Sequence, residues 1–432
     1  MATSAGRRQP HVTDVLTRIS LDELDSAGIR LDCDRNVAAA IHSTRLVTME
    51  PAIDGGYLAK PTGNVGAVRV GDIQIEVRPK GKVKVGQVLF LLGYARDPGF
   101  RPDDVFAEAD TDLLPALAES LARHAQRALA RGVHQGYVTL EESARTVKGR
   151  IRMGDQIARR PGLLLPLEVT YDDFSPDVPE NRILRTALRR MAAVPRVPAA
   201  TRERLRRLDA NLDQVSTLEK GEPLPRWTPT RLNTRYHSAL RLSELVLRHL
   251  SARTGSSGPD IASFVVPMWK VFEDFVAVAL AEALREAPGI TEEQYPVAMD
   301  EPIDGIPAVR MNVDIVHSIA GRPVFVADAK YKAASPDGQY PNADKYQMLA
   351  YCTALGVRRA WLVYARGGEP VTRRVRNSDV EITEWPLDLA FSPSALIGQL
   401  ESLSKQMRDP TIAPPVRHPA TRNLTSSVVA PR

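Results

Sequence analysis

The chain has 432 residues, of which 43% are hydrophobic and 25% are charged, and its formal net charge is +5. This length exceeds what one ordinary hydrophobic core accommodates, so we expect two or three domains. The composition is typical of a soluble globular protein and excludes fibrous and disordered classes. The mild positive charge is compatible with a nucleic acid or an acidic partner, but it establishes neither.

The sequence lacks the signals of export, membrane insertion and several cofactor classes. Its beginning, MATSAGRRQPHVTDVL, contains no apolar segment of signal-peptide type, and no long uncharged apolar run follows. We therefore expect a cytoplasmic protein without a membrane span. With only two cysteines, Cys33 and Cys352, a disulfide scaffold or a cysteine-rich zinc site is not expected. No P-loop, H-E-x-x-H or dinucleotide-binding motif occurs.

Local patterns divide the chain into four predicted parts within a mixed α/β protein. Residues 1–100 are predicted to form a β-rich docking or recognition domain, because GAVRVGDIQIEVRPK alternates at period two around a Gly-Asp turn. Residues 101–255 are predicted to be mostly helical and rich in arginine. A Gly/Ser/Pro stretch, SARTGSSGPD, marks the boundary to a nuclease-like domain at 256–405. The tail at 406–432 is predicted to be disordered.

Two features of the middle region yield specific expectations. The segment YVTLEESARTVKGRIRM is predicted to form a hairpin. In NRILRTALRRM, Arg182, Arg185 and Arg189 are spaced to share one helix face. The favoured interpretation of this face is a solvated surface of a helical bundle, and the alternative is a surface that contacts phosphate or a partner.

The last third of the chain predicts a mixed α/β core. An amphipathic helix in VPMWKVFEDFVAVALAEALREA precedes two strands in AVRMNVDIVHSIAGRPVFVADAKYKA, which a short turn through Gly321 and Pro323 joins. NADKYQMLAYCTAL then predicts a helix and RAWLVYA a strand. The predicted order is therefore helix, strand, strand, helix, strand.

The two adjacent strands of this core bring chemistry-bearing residues together. Asp314 lies 14 positions before Asp328, so neighbouring strands can place the two carboxylates side by side. Carboxylates at close range repel each other near a core unless a cation lies between them. Such an oxygen-rich site suits Mg²⁺, for which Mn²⁺ is expected to substitute, and the backbone carbonyl of Ala329 is a further candidate ligand.

Lys330 completes the predicted site, because it projects from the same strand face as Asp328. Its amine can orient or help deprotonate an attacking water, and its charge can balance charge that develops on a phosphate. This arrangement predicts metal-assisted phosphodiester hydrolysis. The structural alternative is that Asp328 and Lys330 form an edge-strand ion pair that contributes little.

Weaker expectations concern four neighbouring residues. Glu273 is either a metal ligand or supporting base, or a solvent-facing helix residue. Gln347 is expected to donate a hydrogen bond to a ligand or to the backbone near the site. Tyr331 and Lys345 are within expected reach of a DNA phosphate.

The motif VDIV…VFVADAKYK…KYQMLAY resembles the core signature of the PD-(D/E)xK nuclease superfamily, with a restriction-endonuclease-like α/β core. It departs from that pattern at Val313, which precedes the first aspartate where the signature has proline, but proline is not a ligand. Between about residues 60 and 365 the chain is also similar to McrC-like subunits of McrBC-type (5-methylcytosine) restriction systems. The segments that support this are VGAVRVGDIQIEVRPKGKVKVGQVLFLLGYA, VKGRI, FSPDVPENRILRTALRRM and WKVFEDFVA.

The resemblance implies a Mg²⁺-dependent endonuclease subunit of an anti-phage defence complex. The family's catalytic motif falls on Asp314, Asp328 and Lys330. The implied partners are an McrB-like AAA+ GTPase ring, which the N-terminal part docks on and stimulates, and double-stranded, modified DNA. Two alternatives remain open at this point. One is a catalytically silent adaptor that activates an AAA+ motor, and the other is a stand-alone DNA repair nuclease.

Overall fold

The computed structural model forms two compact units. It describes residues 17–79, 83–100, 113–194, 197–219, 221–253, 261–303, 306–331 and 342–409. The first unit comprises the described residues up to Gly93 and those from Gly99 to Met268, and the second comprises Tyr94–Pro98 and the chain from Trp269 onward. Of the predicted disordered tail, residues 410–432 lie outside the described residues, whereas Gln406 and Met407 belong to the helix Pro393–Met407, so the prediction of disorder is wrong there. The finer four-part division of the chain stays a prediction.

Helices and strands are both abundant in the described residues, which confirms the predicted mixed α/β class. In the described part of the chain the ten α-helices are α1 (Arg35–Ser43), α2 (Val85–Tyr94), α3 (Leu113–Leu129), α4 (Met153–Arg159), α5 (Pro179–Ala192), α6 (Ala199–Ala210), α7 (His237–His249), α8 (Met268–Ala283), α9 (Asn342–Leu355) and α10 (Pro393–Met407). The seventeen strands of the same described residues are β1 (Thr17–Asp22), β2 (Ile29–Leu31), β3 (Val47–Pro51), β4 (Tyr57–Pro61), β5 (Asn64–Val70), β6 (Ile73–Arg78), β7 (Gly136–Ala144), β8 (Arg150–Ile151), β9 (Leu167–Ser175), β10 (Leu250–Arg253), β11 (Ile261–Pro267), β12 (Ile290–Ala298), β13 (Arg310–Ile319), β14 (Arg322–Lys330), β15 (Arg359–Tyr364), β16 (Val371–Arg374) and β17 (Glu381–Pro386). No helix among the described residues combines the length and the apolar character that a membrane span requires.

The first unit contains the predicted β-rich region. Its five-stranded sheet has the order β1-β6-β5-β11-β10, and a three-stranded sheet has the order β2-β4-β3. The predicted hairpin of β5 and β6 is confirmed, with Gly71 at the turn in the left-handed region at φ +56°. The predicted linker at 251–260 begins inside β10, and its residues 254–260 lie outside the described part of the chain.

The predicted hairpin at YVTLEESARTVKGRIRM is wrong. Strands β7 and β8 both pair with β9, and the sheet order is β7-β9-β8. The ladder of β7 with β9 runs over nine residues, from Gly136↔Ser175 to Ala144↔Leu167, whereas β8 contains only two residues. The longer ladder satisfies many more backbone donors and acceptors, so it determines the pairing.

The arginines of α5 are bound within their own unit. Arg185 Nε and Arg189 Nε lie 3.0 and 2.9 Å from Asp209 Oδ1 of α6, and Arg182 Nε lies 3.8 Å from Asp177 Oδ1. These ion pairs favour the structural interpretation of this helix face over the phosphate-contacting one.

The second unit contains a six-stranded mixed sheet of order β12-β13-β14-β15-β17-β16. Strands β14, β15 and β17 are parallel, while β12, β13 and β14 run antiparallel to their neighbours in turn. The predicted order of helix, strand, strand, helix, strand corresponds to α8, β13, β14, α9 and β15, whereas β12 was not predicted. The apolar face of the sheet packs against Met348, Tyr351 and Cys352 of α9.

A tight turn joins β13 to β14 at Ala320 and Gly321, with φ of +51° and +73°. Positive φ at both central residues is typical of a two-residue type I′ hairpin. Pro323 already belongs to β14. The register that this turn sets shifts by one residue between His317 and Ser318, so that His317 pairs with Phe325 and Ile315 with Ala327. This shift, and not the turn alone, brings the polar residues of the two strands together.

Candidate active site

Asp314 and Asp328 lie opposite each other on adjacent antiparallel strands. The ladder pairs Ile315 with Ala327, so the next position along it sets Asp314 of β13 against Asp328 of β14. The backbone N–H of Ala329 donates a hydrogen bond of 3.3 Å to Asp314 Oδ2. The expected approach of the two carboxylates is therefore present.

Lys330 contacts the buried member of this pair. Its Nζ lies 2.6 Å from Asp328 Oδ2, and the Asp328 side chain is 1% exposed. Strand β14 is an interior strand, with β13 on one side and β15 on the other. The ion pair that the structural alternative expects is present, but its placement on an edge strand is wrong, because β14 is an interior strand.

Burial and the neighbouring charge of Asp314 raise the pKa of Asp328 from its ordinary 3.8 to about 7, against the opposing effect of Lys330. The pKa of Lys330 is also raised. Burial alone would lower it, but the carboxylates of Asp328 and Asp314 favour the ammonium form more strongly. The carboxylates of Asp314 and Asp328 therefore repel each other when both are ionised, and an added positive charge would reduce this repulsion.

The carboxylate oxygens of the site suit a divalent cation. Asp328 Oδ1 is buried and has no hydrogen-bond partner among the described residues. Leaving such an oxygen unsatisfied is costly, and a cation between the two aspartates would satisfy it. No group of three or more His, Cys, Asp and Glu side chains in the described part of the chain is arranged to hold a metal. The groups placed to hold a cation would be Asp314, Asp328 and the Ala329 carbonyl, and so small a ligand set suits Mg²⁺ because this ion keeps several waters.

Glu273 of α8 is electrostatically coupled to this pair. Burial and the charge of Asp314 raise its pKa, while Lys270 and Lys330 lower it. Its side chain is 21% exposed, and Lys270 Nζ lies 3.9 Å from its Oε2. This favours the supporting role that the sequence suggested over a purely solvent-facing glutamate.

Gln347 reaches the site through a tyrosine that the sequence analysis did not single out. Its Nε2 donates to the hydroxyl of Tyr351 at 2.7 Å, and that hydroxyl donates to the backbone carbonyl of Asn312 at 3.0 Å. Burial, and then the charges of Asp328 and Asp314, raise the pKa of Tyr351 to about 12. The available sequence signal was the spacing of four between Gln347 and Tyr351, which sets both on one helix face.

Tyr331 and Lys345 both have contacts within the chain. The ring of Tyr331 lies 5.9 Å from that of Phe272, and Lys345 Nζ lies 3.0 Å from Glu384 Oε1. Their expected contact with DNA stays a prediction.

Gln294 of β12 is a site residue that sequence reasoning missed. The pairs Glu293↔Ile315 and Tyr295↔Val313 flank it, which sets Gln294 opposite Asp314. It has a left-handed backbone at φ +50°, and its Nε2 donates to Asp314 Oδ1 at 3.1 Å. The segment ITEEQYPVA lacks a clear period-two pattern, so its sequence did not predict a strand.

Replacing Gln294 with Ala is expected to weaken divalent-cation binding about tenfold, because residues that orient metal ligands typically contribute this much or more. Calorimetric titration with Mg²⁺ and Mn²⁺ would measure it. Glu292→Gln, at an exposed position of the same strand, is the matched control. Equal affinities for the two variants would show that Gln294 does not hold Asp314 for the cation.

The fold and the site define a mixed α/β protein with a carboxylate–lysine centre, and comparison with known families identifies its class. The family model described as McrBC 5-methylcytosine restriction system component matches residues 59–365. Because this match covers more than half of the chain, the protein belongs to that family.

Two solved structures are similar to this chain. One is a refined half-complex from a tetradecameric assembly of Thermococcus gammatolerans McrB AAA+ hexamers with bound McrC, with a TM-score of 0.55 and 17% identity over 90% of this chain and 100% of that chain. The other is the cryo-EM structure of the Thermococcus gammatolerans McrBC complex, with a TM-score of 0.39 and 19% identity over 62% of this chain and 88% of that one. The first likeness shows a shared fold. None of the curated proteins matches the chain.

Proposed function

We propose that this chain is the Mg²⁺-dependent DNA endonuclease subunit of a modification-dependent restriction complex. In this assignment its second unit is a PD-(D/E)xK core, in which Asp314, Asp328 and Lys330 are catalytic. The observation that supports this function best is the opposition of two aspartates on neighbouring strands, with Lys330 Nζ 2.6 Å from the buried one. Membership in a family described by 5-methylcytosine restriction supports DNA as the substrate.

The chemistry is divided among a few groups of the chain. Asp314, Asp328 and the Ala329 carbonyl would hold Mg²⁺, which when bound would supply Lewis acidity and charge stabilisation at the scissile phosphate. Lys330 keeps its proton, because its two carboxylate neighbours raise its pKa. The role that suits this ammonium is donation to a phosphate oxygen or to the attacking water.

Glu273 is the group best suited to accept the proton of the attacking water. Burial and the charge of Asp314 raise its pKa above the ordinary value of a glutamate, which makes it a stronger base than an exposed glutamate. Gln294 holds Asp314 from the opposite side of the strand ladder. The Tyr351 hydroxyl of α9 donates to the backbone carbonyl of Asn312 in β13, two residues before Asp314.

The partner in this proposal is a separate AAA+ GTPase ring that the chain stimulates. The chain has no P-loop sequence of its own, so a nucleotide-driven step would come from another subunit. The similar solved structure contains McrC bound to McrB AAA+ hexamers. Double-stranded, modified DNA is the proposed substrate.

A plasmid cleavage assay tests the function as a whole. The purified chain is mixed with methylated or unmethylated plasmid, Mg²⁺, GTP and the AAA+ protein of the same restriction system, and each component is omitted in turn. We expect cuts only when all are present with methylated DNA, and none after a chelator is added. Intact DNA with increased GTP hydrolysis by the partner would instead favour the silent adaptor. Cleavage without the partner would favour the stand-alone nuclease.

A further inference from the structure

A second charged cluster of the same unit surrounds Glu384 of β17. The Glu384 side chain is 9% exposed, and three cations from three different elements converge on it. The distances to its carboxylate oxygens are 3.0 Å from Lys345 Nζ, 3.3 Å from an Arg366 terminal nitrogen and 3.7 Å from Arg373 Nε. A buried carboxylate thus contacts positively charged side chains from α9, from the loop after β15 and from β16.

This cluster lies in line with the candidate active site. The register pairs Asp328 with Leu362 of β15, and Leu362 with Glu384 of β17. Register partners in a parallel sheet project from the same face, and each strand spacing is about 4.8 Å, so about 10 Å separates the backbones of Asp328 and Glu384. Leu362, between them, packs in the core cluster that includes Met348 and Tyr351 of α9, so the whole row faces α9.

Cations outnumber the carboxylate at these three contacts, and the side chains of Lys345, Arg366 and Arg373 stay 25%, 29% and 66% exposed. Lys345 and Arg373 can therefore present N–H donors to a ligand while they contact Glu384. Arginine and lysine held in this way suit the oxygens of a phosphate diester.

We propose that Glu384 positions Lys345, Arg366 and Arg373 as a binding site for a second backbone phosphate of the DNA that is cut at Asp314 and Asp328. The site rests on the proposed function in that both phosphates belong to one DNA molecule. The cations contact the phosphate, whereas Glu384 only holds them in place.

Strand β16 offers a matched pair of variants for the test. Arg373 and Arg374 are adjacent, and their side chains are 66% and 67% exposed. Arg373 pairs with Glu384, whereas Arg374 pairs with Asp379 at 2.9 Å, and neighbouring residues of a strand project to opposite faces. Arg373→Gln and Arg374→Gln therefore remove the same charge from opposite sides of one strand.

The measurement is the affinity of the full chain for a fluorescently labelled DNA duplex, followed by anisotropy between about 50 and about 200 mM salt. Divalent cations are left out so that no cleavage occurs. We expect Arg373→Gln to weaken binding about five- to tenfold and to reduce the slope of log affinity against log salt by about 1. Lys345→Gln is expected to do the same, while Arg374→Gln leaves both quantities at the wild-type values. Thermal unfolding checks that each variant is folded. If Arg373→Gln does not fold, the comparison of Lys345→Gln with Arg374→Gln tests the phosphate site.

Equal effects of Arg373→Gln and Arg374→Gln on affinity and slope would overturn the phosphate site, as would a wild-type chain that does not bind DNA. The nuclease proposal can fail separately. The two arginine variants could differ in DNA affinity while the DNA stays intact in the plasmid assay. That result would support the phosphate site and contradict the proposed nuclease activity.

Discussion

Replacing Asp328 with Asn is expected to lower Mg²⁺-dependent DNA cleavage by about a thousandfold or more, while it stabilises the metal-free protein. Cleavage falls because the asparagine no longer supplies an anionic oxygen to the cation, and the charge stabilisation that a bound metal provides amounts to several kcal/mol. Stability rises because a side chain that is 1% exposed no longer places a carboxylate beside Asp314. Plasmid cleavage with the partner, GTP and Mg²⁺ measures the first effect, and chemical denaturation measures the second.

The opposite signs of the two effects distinguish a functional carboxylate from a structural one. Asp379→Asn is the control, because Asp379 is 57% exposed in the same unit and pairs with Arg358 and Arg374. That variant should cleave like the wild type. An Asp328→Asn protein that cleaves normally, or that loses both stability and activity, would contradict the assignment of Asp328 to the catalytic centre.

The metal-free protein is expected to become less stable as the pH rises from about 4 to about 7, and Mg²⁺ is expected to reverse this loss. The folded pKa of Asp328, about 7, lies above its ordinary value of 3.8, so the folded state binds more protons than the unfolded state in this window. Stability must then decrease with rising pH until the carboxylate is ionised in both states. The difference between the two pKa values corresponds to about 4 kcal/mol at and above pH 7.

Denaturant titrations across this pH range, with and without Mg²⁺, measure the contribution of Asp328. Other carboxylates titrate in the same window, so the quantity to compare is the difference between wild type and Asp328→Asn. Without metal we expect that difference to grow with pH. With saturating Mg²⁺ the wild type should gain stability at pH 7, because the cation binds only the folded, deprotonated site. A pH dependence that is identical in the two proteins would show that Asp328 is not held with a raised pKa.

Much of the central site could be predicted from local sequence patterns. Asp314, Asp328 and Lys330 lie on strands that alternate at period two, and a two-residue turn at Ala320 and Gly321 joins these strands. The turn alone would pair Asp314 with Ala327, and a one-residue shift in register between His317 and Ser318 instead sets Asp314 against Asp328. The sequence therefore predicted the two strands and their polar residues, whereas the register came from the folded sheet. Helix α9 was predicted with its observed bounds, since its residues favour a helix without help from distant contacts.

Tertiary structure alone decided the features that depend on distant partners. Strand β12 pairs with β13 although its own sequence shows little alternation, and only that pairing brings Gln294 to Asp314. Strand β7 pairs with β9 and not with β8, which is nearer along the chain, because the longer ladder forms more backbone hydrogen bonds. The cluster at Glu384 joins α9, β16 and β17, so no local period reveals it. The raised pKa of Asp328 likewise follows from burial, which the order of residues does not show until the sheet and α9 have closed over it.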